Sequence, residues 1–413
     1  MKVLKVITTC IVAGSLLAVT PALAKEKPNP TTHCKPTAVD RNPNVEGLFT
    51  LYDDDMIATN FRTMDNILPS KIYGKESNGT TIIHNKKLQD LTSLEYEFDG
   101  QTQTIADLYT KTNTTGMLVM KDGKIISEDY LQGYTACSKV SSWSMAKSHV
   151  SALIGIAIGE GKIGNVNDFV INYIPELKGT GYDGVTIKQV LEMSSGIDFN
   201  ENYDDPDSDL NNLIPYLYFE GGSIKQYVTN LQRESEPNTF KYKSIDTQIL
   251  AWLIEKQTGK TVAKYYEEKL WKPLEMESAG FWNTDTHGNE IGFALMNSTL
   301  RDYAKFGELF RNGGKYKNKQ IIPAFWVEES VTPDREALMP GVADPGLGYK
   351  YQWWVPYGAE FGKEYVAIGI YGQYTYVNED AGVVIVKTAA DPLIILNDYE
   401  NIAAFRAIAA SLK

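Results

Sequence analysis

Ser144 and Lys147 stand three residues apart in SSWSMAKSHVSALI, residues 141–154. On a helix, positions i and i+3 share a face, so the lysine amine reaches the serine hydroxyl. The first turn also aims free N–H groups and the positive end of the helix dipole at that oxygen. A serine is a weak nucleophile until a neighbour takes its proton, and a desolvated lysine or an adjacent tyrosinate does this. The chemistry implied is acyl transfer through Ser144. Four letters alone arise by chance, so the surrounding elements must agree with the role.

Other chemistries have less behind them. No G-x-S-x-G elbow occurs, and the chain has four histidines. His33 lies in a Pro-rich arm, His84 follows a strand-like run, His149 falls on another helical face from Ser144, and His287 sits in a polar loop. All four read as structural or surface residues. Asp205, Asp207 and Asp209 open like a calcium loop, but Leu210 occupies the required glycine position and Tyr216 the required glutamate position. A solvated acidic loop is expected there. No Cys/His spacing suits zinc, so neither metal nor cofactor is expected.

The elements around the pair are consistent with a buried site. GMLVM, KDGK and IISEDYL form an apolar run, an Asp-Gly turn and a second run, which predicts a β-hairpin just before residue 141. After Ser144, Ala146, Val150, Leu153, Ile154 and Ala157 trace one helical face, and Gly159 and Gly161 end it. Helical patterns and irregular segments alternate between about 165 and 345. Three strand-like runs follow, EYVAIGIYG, QYTYVNED and GVVIVKTA, and then a C-terminal helix with Ile402, Phe405, Ile408, Ala409 and Leu412 on one face. The pattern predicts an α+β fold, its sheet built from both terminal regions, with a mainly helical lobe between them.

Residues 1–24 combine Lys2 and Lys5, an apolar core and PALA before Lys25, the layout of an export signal cleaved after Ala24. A periplasmic or secreted protein is expected. The net charge of −12, or −14 without Lys2 and Lys5, argues against nucleic acid or anionic lipid as a partner. No later run is long and apolar enough for a membrane span. Cys34 and Cys137 remain after cleavage, and both a disulfide and two separate thiols are compatible with the sequence. Residues 25–95 open with a polar, Pro-rich stretch and are set apart from a catalytic domain at 96–413.

Further along, FKYKSIDTQILAWLIEKQTGK (240–260) resembles the second box of the penicillin-recognising serine hydrolases, the superfamily of β-lactamases, penicillin-binding proteins and related esterases. In that family a Tyr-x-Asn or Tyr-x-Ser element follows the Ser-x-x-Lys box by about a hundred residues. Tyr242 and Ser244 take those places. The third box, Lys-Thr-Gly or His-x-Gly in the family, is matched by Ala367-Ile368-Gly369, followed by Gly372-Gln373-Tyr374, and lacks the opening cation. A literal Lys387-Thr388-Ala389 lies one strand too far on. Together with LEMSSGIDFNENYDDPDSD and GYKYQWW, these boxes look most like the 6-aminohexanoate-dimer hydrolase and carboxylesterase branch.

The resemblance implies a β-lactamase/penicillin-binding-protein-like fold and an acyl-enzyme on Ser144, with the Ser144 and Ile370 amides as oxyanion hole. Lys147 and Tyr242 would share the proton work. Either is the base, and Tyr242 qualifies only if a cation such as Lys147 lowers its pKa. Tyr203 would close over substrate, Ser244 and Gly369 would bind it, and Trp353, Trp354 and Tyr371 would line the acyl pocket. Without a cation at Ala367, small esters or linear amides are expected over β-lactams. The rival classes are a β-lactamase or D-amino-acid peptidase and a non-catalytic penicillin-binding-like sensor.

Overall fold

A computed structural model describes Cys34 and residues 43–76, 83–84 and 87–413, without the side chains of 83–84 and 394–396. The expected signal segment, the greater part of the Pro-rich arm with His33, and the His84 side chain lie outside the described residues.

The strands of the two main sheets are, in chain order, β1 (Ser70–Tyr73), β2 (Ile83–His84), β3 (Thr114–Lys121), β4 (Lys124–Tyr130), β5 (Val140–Ser141), β6 (Gly280–Asn283), β7 (Met296–Ser298), β8 (Leu347–Lys350), β9 (Trp353–Pro356), β10 (Glu364–Gly369), β11 (Gln373–Asn378) and β12 (Val383–Ala389). Four helices matter for the site: α1 (Ala146–Gly159), α2 (Ser244–Thr258), α3 (Leu300–Arg311) and α4 (Ile394–Ser411).

The larger sheet runs β8-β9-β10-β11-β12-β3-β4-β2. Every neighbouring pair is antiparallel except β2 with β4. As expected, the hairpin β3–β4 from the N-terminal side joins β12 from the C-terminal side, Val119 opposite Ile385. A smaller antiparallel sheet, β1-β6-β7-β5, places Ser141 opposite Asn297, immediately before the nucleophile turn. Strand β1 enters this sheet from the segment before residue 77, pairing Ile72 with Phe281.

The periodicity predicts that α1 buries one face, and the structure buries nearly all of it. Residues from Ala146 to Ala157 are buried whatever their chemistry. The helix runs through the molecule with neighbours on every side, so its polar residues find partners inside. Ser148 Oγ donates to the Gln352 carbonyl at 2.7 Å, and His149 stacks on Phe306 at 3.6 Å between ring centroids. Gly155 is required by this packing: a Cβ there would lie 2.3 Å from the Trp326 ring.

One buried ion pair fixes α3 to the sheet. Arg301 donates from Nε to Glu128 Oε1 at 2.7 Å and from Nη2 to Oε2 at 3.0 Å, with both side chains almost without exposure. Removing one partner leaves the other charge partly uncompensated in a dry environment. Glu128→Ala is expected to lower stability by about 3 kcal/mol, read as a shift in the urea midpoint. An unshifted midpoint would refute the assignment.

Cys34 and Cys137 are joined by a disulfide, which resolves the alternative that the spacing left open.

Candidate active site

Ser144 lies in a single 3₁₀ turn, Trp143–Met145, that leads directly into α1. Trp143 holds this turn with φ +44°, a left-handed conformation that costs a non-glycine residue energy unless packing fixes it. Phe61 and Tyr371 provide that packing, with ring centroids 5.1 and 5.3 Å from Trp143.

Lys147 is one helical turn on and only 2 % exposed. Its ammonium donates to Ser144 Oγ at 2.7 Å and to the Phe293 carbonyl at 3.0 Å. It also lies over the Tyr242 and Phe293 rings, 5.1 and 5.6 Å from their centroids. Burial pushes this amine down to about 7, against the opposing pull of the Glu201 carboxylate.

Tyr242 lies two residues before α2 begins at Ser244, with Lys243 between them as the N-cap. Its ring stacks on Trp354 at 5.5 Å and meets the edge of Tyr349 at 6.0 Å. A basic Tyr242 requires a cation such as Lys147 to lower its pKa, and the electrostatics run the other way. The surrounding protein and then the Glu201 charge push the phenol well above its usual range, and the nearby Ser144 hydroxyl opposes them only weakly. Tyr242 is therefore a phenol and not a phenolate near neutrality.

Glu201 is the group that sequence reasoning missed. Its carboxylate accepts from the Ser244 amide at 2.6 Å at the N-terminus of α2, from the Ser244 hydroxyl, and from the Tyr203 hydroxyl at 3.3 Å. A carboxylate is stabilised at a helix N-terminus. Burial nonetheless raises its pKa, with Lys147 the principal opposing charge. Ser244, expected to touch substrate, thus has its hydroxyl engaged by Glu201.

Gly369 ends β10 beside the nucleophile turn. A Cβ there would lie 2.3 Å from the Ser142 carbonyl and 3.0 Å from the Ser144 amide, so only glycine lets the strand come this close. Ile370 follows at once. Tyr371 then turns the chain with φ +66° and packs against Trp143, Phe61 and Tyr52.

Ser144, Lys147, Tyr242, Ser244, Tyr203, Gly369, Trp354 and Tyr371 are thus linked in one cluster by these contacts. Trp353 is not part of it: fully buried, it packs on Phe310 at 4.5 Å, in the core. His149 is an inner packing residue and His287 approaches the Gly221 carbonyl at 2.9 Å in its loop. The acidic loop is more structured than expected, because Asp205 and Asp209 accept hydrogen bonds within it, from Asn200 and Asp207. No group of three or more His, Cys, Asp or Glu residues suited to a metal occurs among the described residues. Lys387 is buried over the Tyr374 ring, 5.7 Å from its centroid.

Sheet, helices and nucleophile turn together define the β-lactamase/penicillin-binding-protein-like class of serine hydrolases. The profile of the Beta-lactamase family matches residues 102–392, and the chain belongs to that family. It is 29 % identical over 292 residues to a 6-aminohexanoate-dimer hydrolase of Paenarthrobacter ureafaciens, covering 68 % of this chain and 74 % of the relative. A solved structure from Bacillus anthracis, provisionally assigned as a 6-aminohexanoate-dimer hydrolase, superposes with TM-score 0.78 at 25 % identity, covering 91 % of this chain and 99 % of the other. EstCE1, described as a hydrolase with promiscuous acyltransferase activity, shares the fold with TM-score 0.58 at 14 % identity, over 74 % of this chain and 96 % of its own.

Proposed function

We propose that this protein is an exported serine hydrolase that cleaves small esters or linear amides through an acyl-enzyme on Ser144. The observation that carries this reading is the 2.7 Å contact between Lys147 Nζ and Ser144 Oγ, with the amine held near neutrality by burial. In the neutral form of Lys147 the same contact runs in reverse. The serine hydroxyl donates to the amine and loses its proton there as Oγ bonds to the substrate carbonyl carbon.

Negative charge then develops on the carbonyl oxygen, and the Ser144 and Ile370 amides receive it. As the intermediate collapses, the bond to the leaving alcohol or amine breaks. Tyr242, still protonated, gives that leaving atom its proton and is restored by Lys147. Water, deprotonated by the same pair, attacks the acyl-enzyme and releases the acid. Glu201 supports a role in balancing the charge that Lys147 acquires in each half-reaction.

For substrate, the third box opens with Ala367, a buried alanine, where a carboxylate-binding cation would be needed for penicillin-type ligands. That favours small esters or linear amides over β-lactams. The name of the 6-aminohexanoate-dimer hydrolase relative, a linear-amide hydrolase, supports the same reading, and the disulfide supports export, since such bonds persist in oxidising compartments.

The test is intact mass after a fluorophosphonate, followed by turnover of p-nitrophenyl butyrate and nitrocefin. One adduct on Ser144 and a kcat/KM for the ester at least about tenfold above that for nitrocefin are expected, the size of one missing charged hydrogen bond. Faster nitrocefin turnover would move the protein to the β-lactamases. An adduct with no turnover of either compound would make it a sensor.

A further inference from the structure

The segment before residue 77 lies outside the Beta-lactamase family match, yet it reaches the site. Its first turn, Val45–Thr50, is capped by Asn44, whose side chain accepts from the Glu46 amide. Leu48, Leu51, Ile57 and Phe61 anchor it in the core. Asn60 Nδ2 donates to the Thr50 carbonyl at 2.8 Å and the Leu51 carbonyl at 3.3 Å, which fixes the backbone just before Tyr52. The Phe61 carbonyl accepts from the Ser141 amide at 3.0 Å, tying the same segment to the strand that enters the nucleophile turn.

Held in this way, Tyr52 packs on the side of the site that Tyr371 and Trp143 form. Its ring stacks on Tyr371 at 5.2 Å with 25° between planes and lies 6.2 Å from Trp143. Tyr52 also adds, as the smallest of several causes, to the upward push on the Tyr203 phenol. Tyr371 closes the strand that supplies the Ile370 amide, and Tyr203 belongs to the loop that carries Glu201. A second bridge lies further out, where Phe49 stacks on Phe219 of the helical lobe at 5.1 Å. Both of these rings are 39 % exposed, so this second aromatic contact lies at the surface.

We infer that Tyr52 is a specificity-determining residue, whose ring closes the cleft between Tyr371 and Tyr203 and limits the length of the apolar chain that substrate carries there. This rests on the serine hydrolase reading. The rings of Tyr52, Tyr371 and Trp143 offer a substrate chain aromatic surface and no charge, so the chain they would admit is apolar and its length is set by the ring of Tyr52.

The experiment compares rates of Ser144 labelling by an ethyl and a decyl fluorophosphonate, read by intact mass. The ratio of the two rates does not depend on how much of a variant is folded. Tyr52→Ala and Tyr52→Leu are expected to raise the decyl-to-ethyl ratio by about tenfold or more, the scale on which a pocket rejects added methylenes. Tyr52→Phe, which keeps the ring, should retain the wild-type ratio. A ratio within about twofold of wild type in both the Ala and Leu variants would overturn the role of Tyr52 while leaving the hydrolase reading intact. No labelling of wild type by either probe would overturn the hydrolase reading, and the inference with it.

Discussion

Ser144→Ala removes ester hydrolysis, with kcat/KM falling by at least about 10⁴-fold, and abolishes the fluorophosphonate adduct. The change deletes one oxygen from a turn whose backbone is fixed by Trp143, Phe61 and Tyr371, so the fold has no reason to move. Lys147 keeps its hydrogen bond to the Phe293 carbonyl, and stability should stay within about 1 kcal/mol of wild type. The two amides proposed as oxyanion donors, at positions 144 and 370, are backbone groups and also survive. A residue of activity above water is therefore compatible with the mechanism, whereas a fully active alanine variant would end it.

Lys147→Met and Tyr242→Phe separate the two candidates for the base. If Lys147 takes the serine proton, kcat/KM rises with pH as the amine loses its charge through about 7 and levels off above. Methionine fills much of the same volume without an amine. Lys147→Met should lose about 10²–10⁴-fold in kcat/KM together with the limb near neutrality. Tyr242→Phe should lose less and keep that limb, because its phenol stays protonated throughout. A limb near 7 that survives in Lys147→Met but vanishes in Tyr242→Phe would reverse the assignment.

The same shift has a sign for stability. The lysine pKa falls from 10.5 to about 7 on folding, so the unfolded chain binds more protons between those values. Its contribution to stability therefore increases with pH across that window and is most unfavourable below it. Lys147→Met removes this dependence and should be no less stable than wild type at pH 7.

Much of this was legible in local patterns. The Asp-Gly turn between β3 and β4, the apolar spacing of α1 and three successive strand runs each carry their own signal, and Gly369 could be placed by order. The remainder depends on distances that spacing does not contain. Glu201 is one carboxylate among several in an acidic loop, and nothing in its neighbourhood marks it as the one that meets Ser244. Tyr52 lies in a segment assigned no role, because its partners Tyr371 and Tyr203 come from remote parts of the chain. The burial of α1 on every side was hidden by small and polar residues, Ser148, His149 and Ser151, that score as exposed until their partners are known.

The pairing of β3 with β12 sets an order of events. Val119 must wait for Ile385, and the Ser144 turn for Gly369, before sheet and candidate site exist together. Long-range pairings of this kind are slow, since a large loop must close before any contact offsets its entropy. A chain emerging from its N-terminus carries its nucleophile helix long before it carries the strand that makes the serine useful. The hydrolase is thus silent while incomplete, and its last-made strands complete the site.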